Sequence, residues 1–149
     1  LKQLSDSKAE VDFTQGLDAR FIDYHTAYLI GRIKVKRLHF AFDFIKNEEA
    51  IVRGLKVFQE VCPTPDYKAI VYILTNYDTT IEQDLYRVNA VRELGYLPDV
   101  RIYRKPHAPQ ILKDLQRWCN NRLIFRSCEF KDYVPRRDGK TIKEIYFKE

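Results

Sequence analysis

The sequence predicts an α/β fold with a parallel sheet, and three observations lead to that prediction. Strand-like and helix-like segments alternate four times at a period of roughly 30 residues, the size of a strand–helix–strand step. The segment 69–74 is apolar at every position, as expected of a parallel strand with both faces buried. Gly95 lies where a helix C-terminal cap belongs, just before the next strand. This alternation predicts parallel strands joined by right-handed crossovers.

The predicted elements follow one another in order. The strands cover 11–13, 37–42, 69–74 and 100–103, and the helices begin near Tyr24, Asn47, Thr79 and Pro109. Asn47 is a suitable N-cap, Thr79 and Glu82 have the spacing of a capping box, and Pro109 suits the first turn of a helix. Four units cannot close a barrel of eight strands, so the chain forms either a small open sheet or half of a barrel.

The C-terminal tail breaks this rhythm from Glu129 onward. Its segment 141–147 is either an edge strand or part of a terminal extension, and the pattern leaves both readings open. We therefore predict an α/β domain over 1–128 and a C-terminal extension over 129–149.

The amino-acid composition limits the class of protein to which this chain can belong. The chain has 149 residues, of which 45% are apolar and 32% charged, and this suits one globular domain. No run approaches the ~20 apolar residues that span a bilayer, so we expect a cytoplasmic protein without membrane contact. The chain lacks methionine and opens on Leu1, which favours a processed chain or a piece excised from a longer protein. The net charge is +5, but the basic residues are dispersed, so a solvated surface is favoured over a nucleic-acid interface.

Candidate binding residues gather at the predicted carboxyl ends of the strands, where parallel α/β folds bind their ligands. An arginine there could clamp a carboxylate, and acidic side chains could accept from an ammonium or ribose hydroxyls. The candidates, from the first strand to the fourth, are Gln15, Asp18, Arg20, Asp43, Asn76, Tyr77, Tyr103 and Lys105.

Structural roles for the same residues stay open. Asp43 and Asn76 precede helices and could cap them, whereas Asp18 could pair with Arg20 across a turn. Tyr72 and Tyr103 lie within predicted strands, and this favours the core over a ligand contact.

Several catalytic motifs are excluded. The chain has no Gly-x-Gly-x-x-Gly sequence and no Walker loop, and the spacing of its three histidines does not suggest a metal site. His39, inside an apolar strand, is favoured as a satisfied sheet residue. The three cysteines are far apart, which excludes a Cys-x2-Cys zinc ribbon or thioredoxin motif and favours reduced thiols. Cys128 follows Arg126, but no base is evident beside it.

Several segments resemble successive strand motifs of radical S-adenosylmethionine (SAM) proteins. The resemblance covers nearly the whole chain in order, over 11–20, 38–43, 70–80, Leu115–Trp118 with Asn121–Arg122, and 125–128. It implies a partial TIM-type barrel of six strands, of which this chain would supply the third strand onward. In that family a Cys-x3-Cys-x2-Cys loop after the first strand holds a [4Fe–4S] cluster, and a Gly-Gly-Glu motif at the second strand holds the methionyl amine.

The resemblance implies a role for each strand end. Asp18 and Arg20 would lie at the third barrel strand, where polar cofactor contacts are common. Asp43 would end the fourth, against the ribose or the amino-acid moiety of SAM. Asn76 and Tyr77 stand in place of the glycine-rich motif that cradles adenine, and this is a departure from the family pattern.

A larger departure concerns the iron side of the site. Neither the three-cysteine loop nor Gly-Gly-Glu occurs in the chain, and reductive cleavage of the sulfonium needs an electron from the cluster. We therefore expect SAM binding at the strand ends, no catalysis by this chain alone, and a partner in the missing N-terminal half of the barrel.

Two further expectations accompany this hypothesis. An exposed sheet edge could also lead to self-association. The alternative function is a non-catalytic α/β module that binds a small anionic ligand or nucleic acid. The pattern does not identify a substrate.

Overall fold

A computed structural model describes residues 1–148 and shows a four-stranded sheet interleaved with helices. The strands are β1 (Glu10–Leu17), β2 (Lys34–Ala41), β3 (Ala69–Thr75) and β4 (Leu97–Ile102). The helices are α1 (Lys2–Ser7), α2 (Tyr24–Gly31), α3 (Glu48–Val61), α4 (Ile81–Glu93), α5 (Gln110–Asn120), α6 (Arg122–Ser127) and α7 (Ile142–Tyr146). No helix within 1–148 is both long enough and apolar enough to cross a membrane.

All neighbouring strands run parallel, in the order β1-β2-β3-β4. Phe40 of β2 is in register with Val71 of β3, and Val71 with Pro98 of β4. The predicted α/β fold with alternating strand–helix units is confirmed at this level. Each connection steps to the adjacent strand in the same direction, and right-handed crossovers of that kind place their helices on one face of the sheet.

One face of the sheet is sealed and the other is not. Alternate residues of β3 (Ala69, Val71 and Ile73) are fully buried, whereas Ile70, Tyr72 and Leu74 between them remain partly exposed. On the sealed face Phe40 packs against Phe58 of α3 and against Tyr96, with ring centroids 5.2 and 5.7 Å apart. The expectation that both faces of this strand are buried is therefore wrong for residues 1–148, because their helices cover only one face. We call the other face, with Tyr72 at its centre, the open face.

The two edges of the sheet also differ. At β4 the backbone N–H of Val100 donates to Asn120 Oδ1 at 2.8 Å, and the Val100 carbonyl accepts from Gln116 Nε2 at 2.8 Å. Side chains of α5 thus close the outer edge of β4. Within residues 1–148, the backbone of β1 has one hydrogen bond to a side chain. That side chain is His39, which comes from the adjacent strand β2 and therefore lies on the inner side of β1. The outer edge of β1 is open.

The C-terminal extension packs against the same core. Phe130, Tyr133 and Ile142 are buried and belong to the central apolar cluster. Of the two alternatives for 141–147, the edge strand is wrong, since Ile142–Tyr146 form helix α7, where Thr141 and Glu144 cap one another. The helix forms because this capping box satisfies its first backbone donors, and because α5 already closes the β4 edge. The division at 128/129 stays a prediction.

The predicted helix starts need small corrections. The capping box of α4 is Thr80 with Gln83, one residue later than predicted, because Thr79 instead donates to Asp84. Asn47 occupies the N-cap position of α3 without a capping hydrogen bond. Gly95 follows α4 with φ +84°, as a C-terminal cap glycine requires.

Candidate functional site

The carboxyl ends of parallel strands meet at one edge of the sheet, which we call the rim. The segments after β1, β2, β3 and β4 carry most of the candidate residues there. Gln15 is the exception, because it lies within the irregular part of β1 and is exposed. The others are Asp18 and Arg20, Asp43, Asn76 and Tyr77, and Tyr103 and Lys105.

After β1, Asp18 and Arg20 form a two-pronged ion pair. Arg20 Nε lies 2.9 Å from Oδ1 of Asp18, and Nη2 lies 2.5 Å from Oδ2. These hydrogen bonds hold the pKa of Asp18 below its usual value. The alternative left open by the sequence, pairing across a turn, is the arrangement that the structure shows. A ligand carboxylate would have to displace Asp18 to bind Nε and Nη2 of this guanidinium as a pair.

After β2, Asp43 has a different environment. Its Oδ1 accepts a hydrogen bond from the Leu74 backbone N–H at 3.3 Å, while no hydrogen bond reaches Oδ2 from residues 1–148. Burial raises the pKa of this carboxyl group. The capping role considered for Asp43 is wrong, because its carboxylate contacts β3 instead of the next helix. Asp43 is thus a half-buried hydrogen-bond acceptor whose second oxygen, Oδ2, has no partner within residues 1–148.

A buried ion pair braces this strand end, and the sequence analysis missed it. Arg87 of α4 donates to the carbonyls of Phe42 and Leu74 at 2.6 and 2.7 Å, and to Asp84 at 2.6 Å. The side chains of Arg87 and Asp84 are 0% and 1% exposed. Their i,i+3 spacing on a helix with an apolar stripe was the signal that could have revealed the pair. Through Arg87, this ion pair fixes β2 and β3 relative to one another next to Asp43.

After β3 and β4, three aromatic rings form a continuous group. The rings of Phe44 and Tyr77 have centroids 6.2 Å apart, and those of Tyr77 and Tyr103 are 5.0 Å apart. Lys46 lies over Phe44 and Arg104 over Tyr103. All three rings are partly exposed, and we call this set the aromatic rim. Tyr103 lies just outside β4, so it belongs to the rim and not to the strand core that the sequence favoured.

A cavity of about 300 Å³ lies between the loops after β2 and β3. Asp43 lines it together with Phe44, Lys46, Tyr77, Asp78 and Thr79. Among the candidate residues, the structure therefore brings Asp43, Tyr77 and Tyr103 together, whereas Asp18 and Arg20 are occupied with each other.

The backbone at this rim is unusual. Asn76, Asp78 and Arg104 adopt left-handed conformations, with φ of 61°, 54° and 46°. This costs a non-glycine residue roughly 1–2 kcal/mol, and such conformations cluster at functional sites. Asn76 does not cap the following helix; it donates from Nδ2 to the Tyr103 carbonyl at 2.8 Å and ties β3 to β4.

The chain's thiols do not form a metal site in the described residues. Across 1–148 no group of three or more His, Cys, Asp or Glu side chains is placed to hold a metal ion. Cys119 is buried, and burial raises the pKa of its thiol. Cys62 and Cys128 are partly exposed and unpaired.

Comparison with known proteins adds no relative: no family model, curated protein or solved structure matches this chain.

Proposed function

We propose that this chain is the C-terminal half of a radical SAM enzyme barrel, and that SAM binds at its rim. Four features support the proposal: the resemblance of the strand motifs, the sequential parallel strands, the sheet's open face and its open β1 edge. The enzyme's substrate and reaction are left unassigned. We place the enzyme in the cytoplasm, where its free thiols stay reduced.

The asymmetry of the sheet carries this proposal. A doubly wound sheet reverses its strand order at a switch point, whereas β1 to β4 follow in a single direction, as barrel strands do. The α5 side chains Gln116 and Asn120 end the sheet at β4. Further barrel strands would therefore add at the open edge of β1, and the open face would become the barrel interior.

The rim offers suitable partners for SAM. Asp43 is the best-placed acceptor, because its Oδ2 is unpaired and its half-buried carboxylate favours a cationic or hydroxyl partner. Tyr77 and Tyr103 would offer ring faces and edges to adenine in place of a glycine-rich motif. Asp43 would orient the cofactor, while the ion-paired Asp18 would stay outside this contact.

The residues of this chain do not fit a [4Fe–4S] cluster, because three neighbouring thiolates are required and residues 1–148 bring none together. In the proposal the cluster ligands lie in the other half of the barrel, and this chain is inactive alone. The cluster and SAM together supply reductive cleavage of the sulfonium; this chain's part is to bind and orient SAM.

NMR mapping of the full chain with SAM tests the proposal. We expect shifts confined to residues at the rim, and Asp43→Asn should weaken binding about tenfold, since a hydrogen bond to a charged group contributes about 1.5–3 kcal/mol. Asp78→Asn is the matched control, because Asp78 lines the same cavity without contacting β3. Shifts away from the rim, or equal effects of the two variants, would contradict the proposal.

One observation favours the second candidate, a nucleic-acid or small-anion binding module. The aromatic rim is exposed and flanked by Lys46 and Arg104, the combination on which single-stranded nucleic acids stack. This candidate predicts that the affinity for an oligonucleotide falls steeply with salt and is lost in Tyr77→Ala. Affinity without a salt dependence rejects it.

A further inference from the structure

Three planar side chains form a row across the open face. The ring of His39 on β2 stacks on Tyr72 of β3, with centroids 5.1 Å apart and an interplanar angle of 10°. The guanidinium of Arg101 on β4 lies 5.0 Å from the centroid of the same tyrosine ring. Tyr72 lies two residues further along β3 than the register partner of His39, and Arg101 lies two residues further along β4 than the register partner of Tyr72. The row therefore runs diagonally across the strands, from the middle of the sheet toward the rim.

The row is held at both ends. His39 Nδ1 lies 2.7 Å from the carbonyl oxygen of Phe13, and a carbonyl can only accept. Nδ1 therefore carries a proton, and in the Nδ1–H tautomer Nε2 presents a lone pair. At the other end Arg101 donates to Asp99 at 2.9 Å, and Asp99 accepts from Asn120 at 3.1 Å.

The polar heads of the row are nevertheless free. Within residues 1–148, His39 Nε2 and the Tyr72 hydroxyl have no hydrogen-bond partner, and Arg101 uses only Nη2. His39 is only 7% exposed, yet Nε2 is not sealed from solvent. The row thus offers an acceptor, a hydroxyl and spare cationic donors, in that order. Asp99 balances the charge of Arg101.

We infer that this row is a binding site for a small zwitterionic amino acid, with its carboxylate at Arg101 and its ammonium group at His39. Arg101 binds the carboxylate through its free N–H groups, and His39 Nε2 accepts from the ammonium end. An overall neutral ligand matches a row in which Asp99 already balances the charge of Arg101. This inference goes beyond SAM binding and needs only the open face.

The spacing of the row limits the length of the ligand. The His39 ring centroid and the Arg101 guanidinium carbon each lie about 5 Å from the Tyr72 ring centroid, so they are at most about 10 Å apart. An extended chain advances ~3.3–3.6 Å for every three bonds. The three-bond chain of β-alanine, with a hydrogen bond of about 2.9 Å at each end, spans about 9 Å and fits this length, whereas the six-bond chain of 6-aminohexanoate spans about 13 Å and is too long.

NMR titration of the full chain with β-alanine tests the inference. We expect shifts at His39 and Tyr72, weaker binding of 6-aminohexanoate, and a loss of about tenfold in affinity in Arg101→Gln. The matched control is Arg104→Gln, because Arg104 lies over Tyr103 in the same manner but outside the row. The imidazole ¹⁵N signals should show the Nδ1–H tautomer of His39.

Equal binding of 6-aminohexanoate, equal effects of the two arginine variants, or an Nε2–H tautomer would overturn the inference. Displacement of β-alanine by SAM would also overturn it, since the row would then be part of the cofactor site. A failure of SAM to bind, by contrast, counts against the proposed function and leaves this site standing.

Discussion

Replacing the buried Arg87 with methionine should lower the free energy of unfolding more than the replacement of any exposed residue does. The variant keeps the aliphatic stem but leaves Asp84 as a buried charge, and it removes the donors to the Phe42 and Leu74 carbonyls. Breaking a buried pair in this way costs about 3–5 kcal/mol. With a urea m-value of about 1–3 kcal/mol/M for a small protein, the midpoint should fall by more than 1 M.

Urea denaturation followed by circular dichroism measures this loss. Arg92→Met is the matched control on the same helix, because Arg92 is 32% exposed and pairs with the exposed Glu129; it should cost less than about 1 kcal/mol. Adding Asp84→Asn to Arg87→Met should recover part of the loss, since the unpaired charge is gone. If Arg87→Met cost no more than the Arg92 control, the buried brace would not be what fixes β2 against β3.

Two further predictions concern the sheet edge and the extension. Asn120→Ala should speed hydrogen exchange of the Val100 amide, because it loses its 2.8 Å acceptor; unchanged exchange would mean that α5 does not close the β4 edge. Burial alone would raise the pKa of Asp114, but hydrogen bonds from Arg137, Tyr146 and other neighbours outweigh it and hold that pKa below its usual value. The contact between Asp114 and Arg137 therefore stabilises the fold at pH values above the ordinary carboxyl pKa of ~3.9, and this stabilisation is lost as the pH falls from there through the lowered pKa of Asp114. Acid should release the C-terminal extension, and limited proteolysis measures that release. Arg137→Gln should weaken that pH dependence, and a dependence that is unchanged by it would assign the effect to another carboxylate.

Local patterns in the sequence were sufficient to predict the parallel fold. The position of Gly95 and the period of the strand–helix units reflect short-range rules, and the structure agrees with them. The apolar run located β3 correctly, although only one face of that strand is fully buried. The capping box of α4 was misplaced by one residue because Thr79 and Thr80 are both good caps, and only the contact of Thr79 with Asp84 decides between them.

The candidate site was less predictable, since it depends on pairs that are distant in the chain. Strand ends identified Asp43 and Tyr103, but periodicity did not indicate that Asp43 contacts Leu74. The brace between Arg87 and the strand carbonyls is invisible without the three-dimensional arrangement. His39 was correctly predicted as a sheet residue, yet its alignment with Tyr72 and Arg101 follows from strand register, which the sequence does not specify.

The structure of a chain extended upstream of Leu1 is the measurement that bears most on the half-barrel proposal. If the chain is half of a barrel, an upstream strand pairs parallel to the open edge of β1, and a Cys-x3-Cys-x2-Cys loop precedes that strand at the same rim as Asp43. A β1 edge that stays unpaired, or an upstream region without that loop, would overturn the half-barrel proposal.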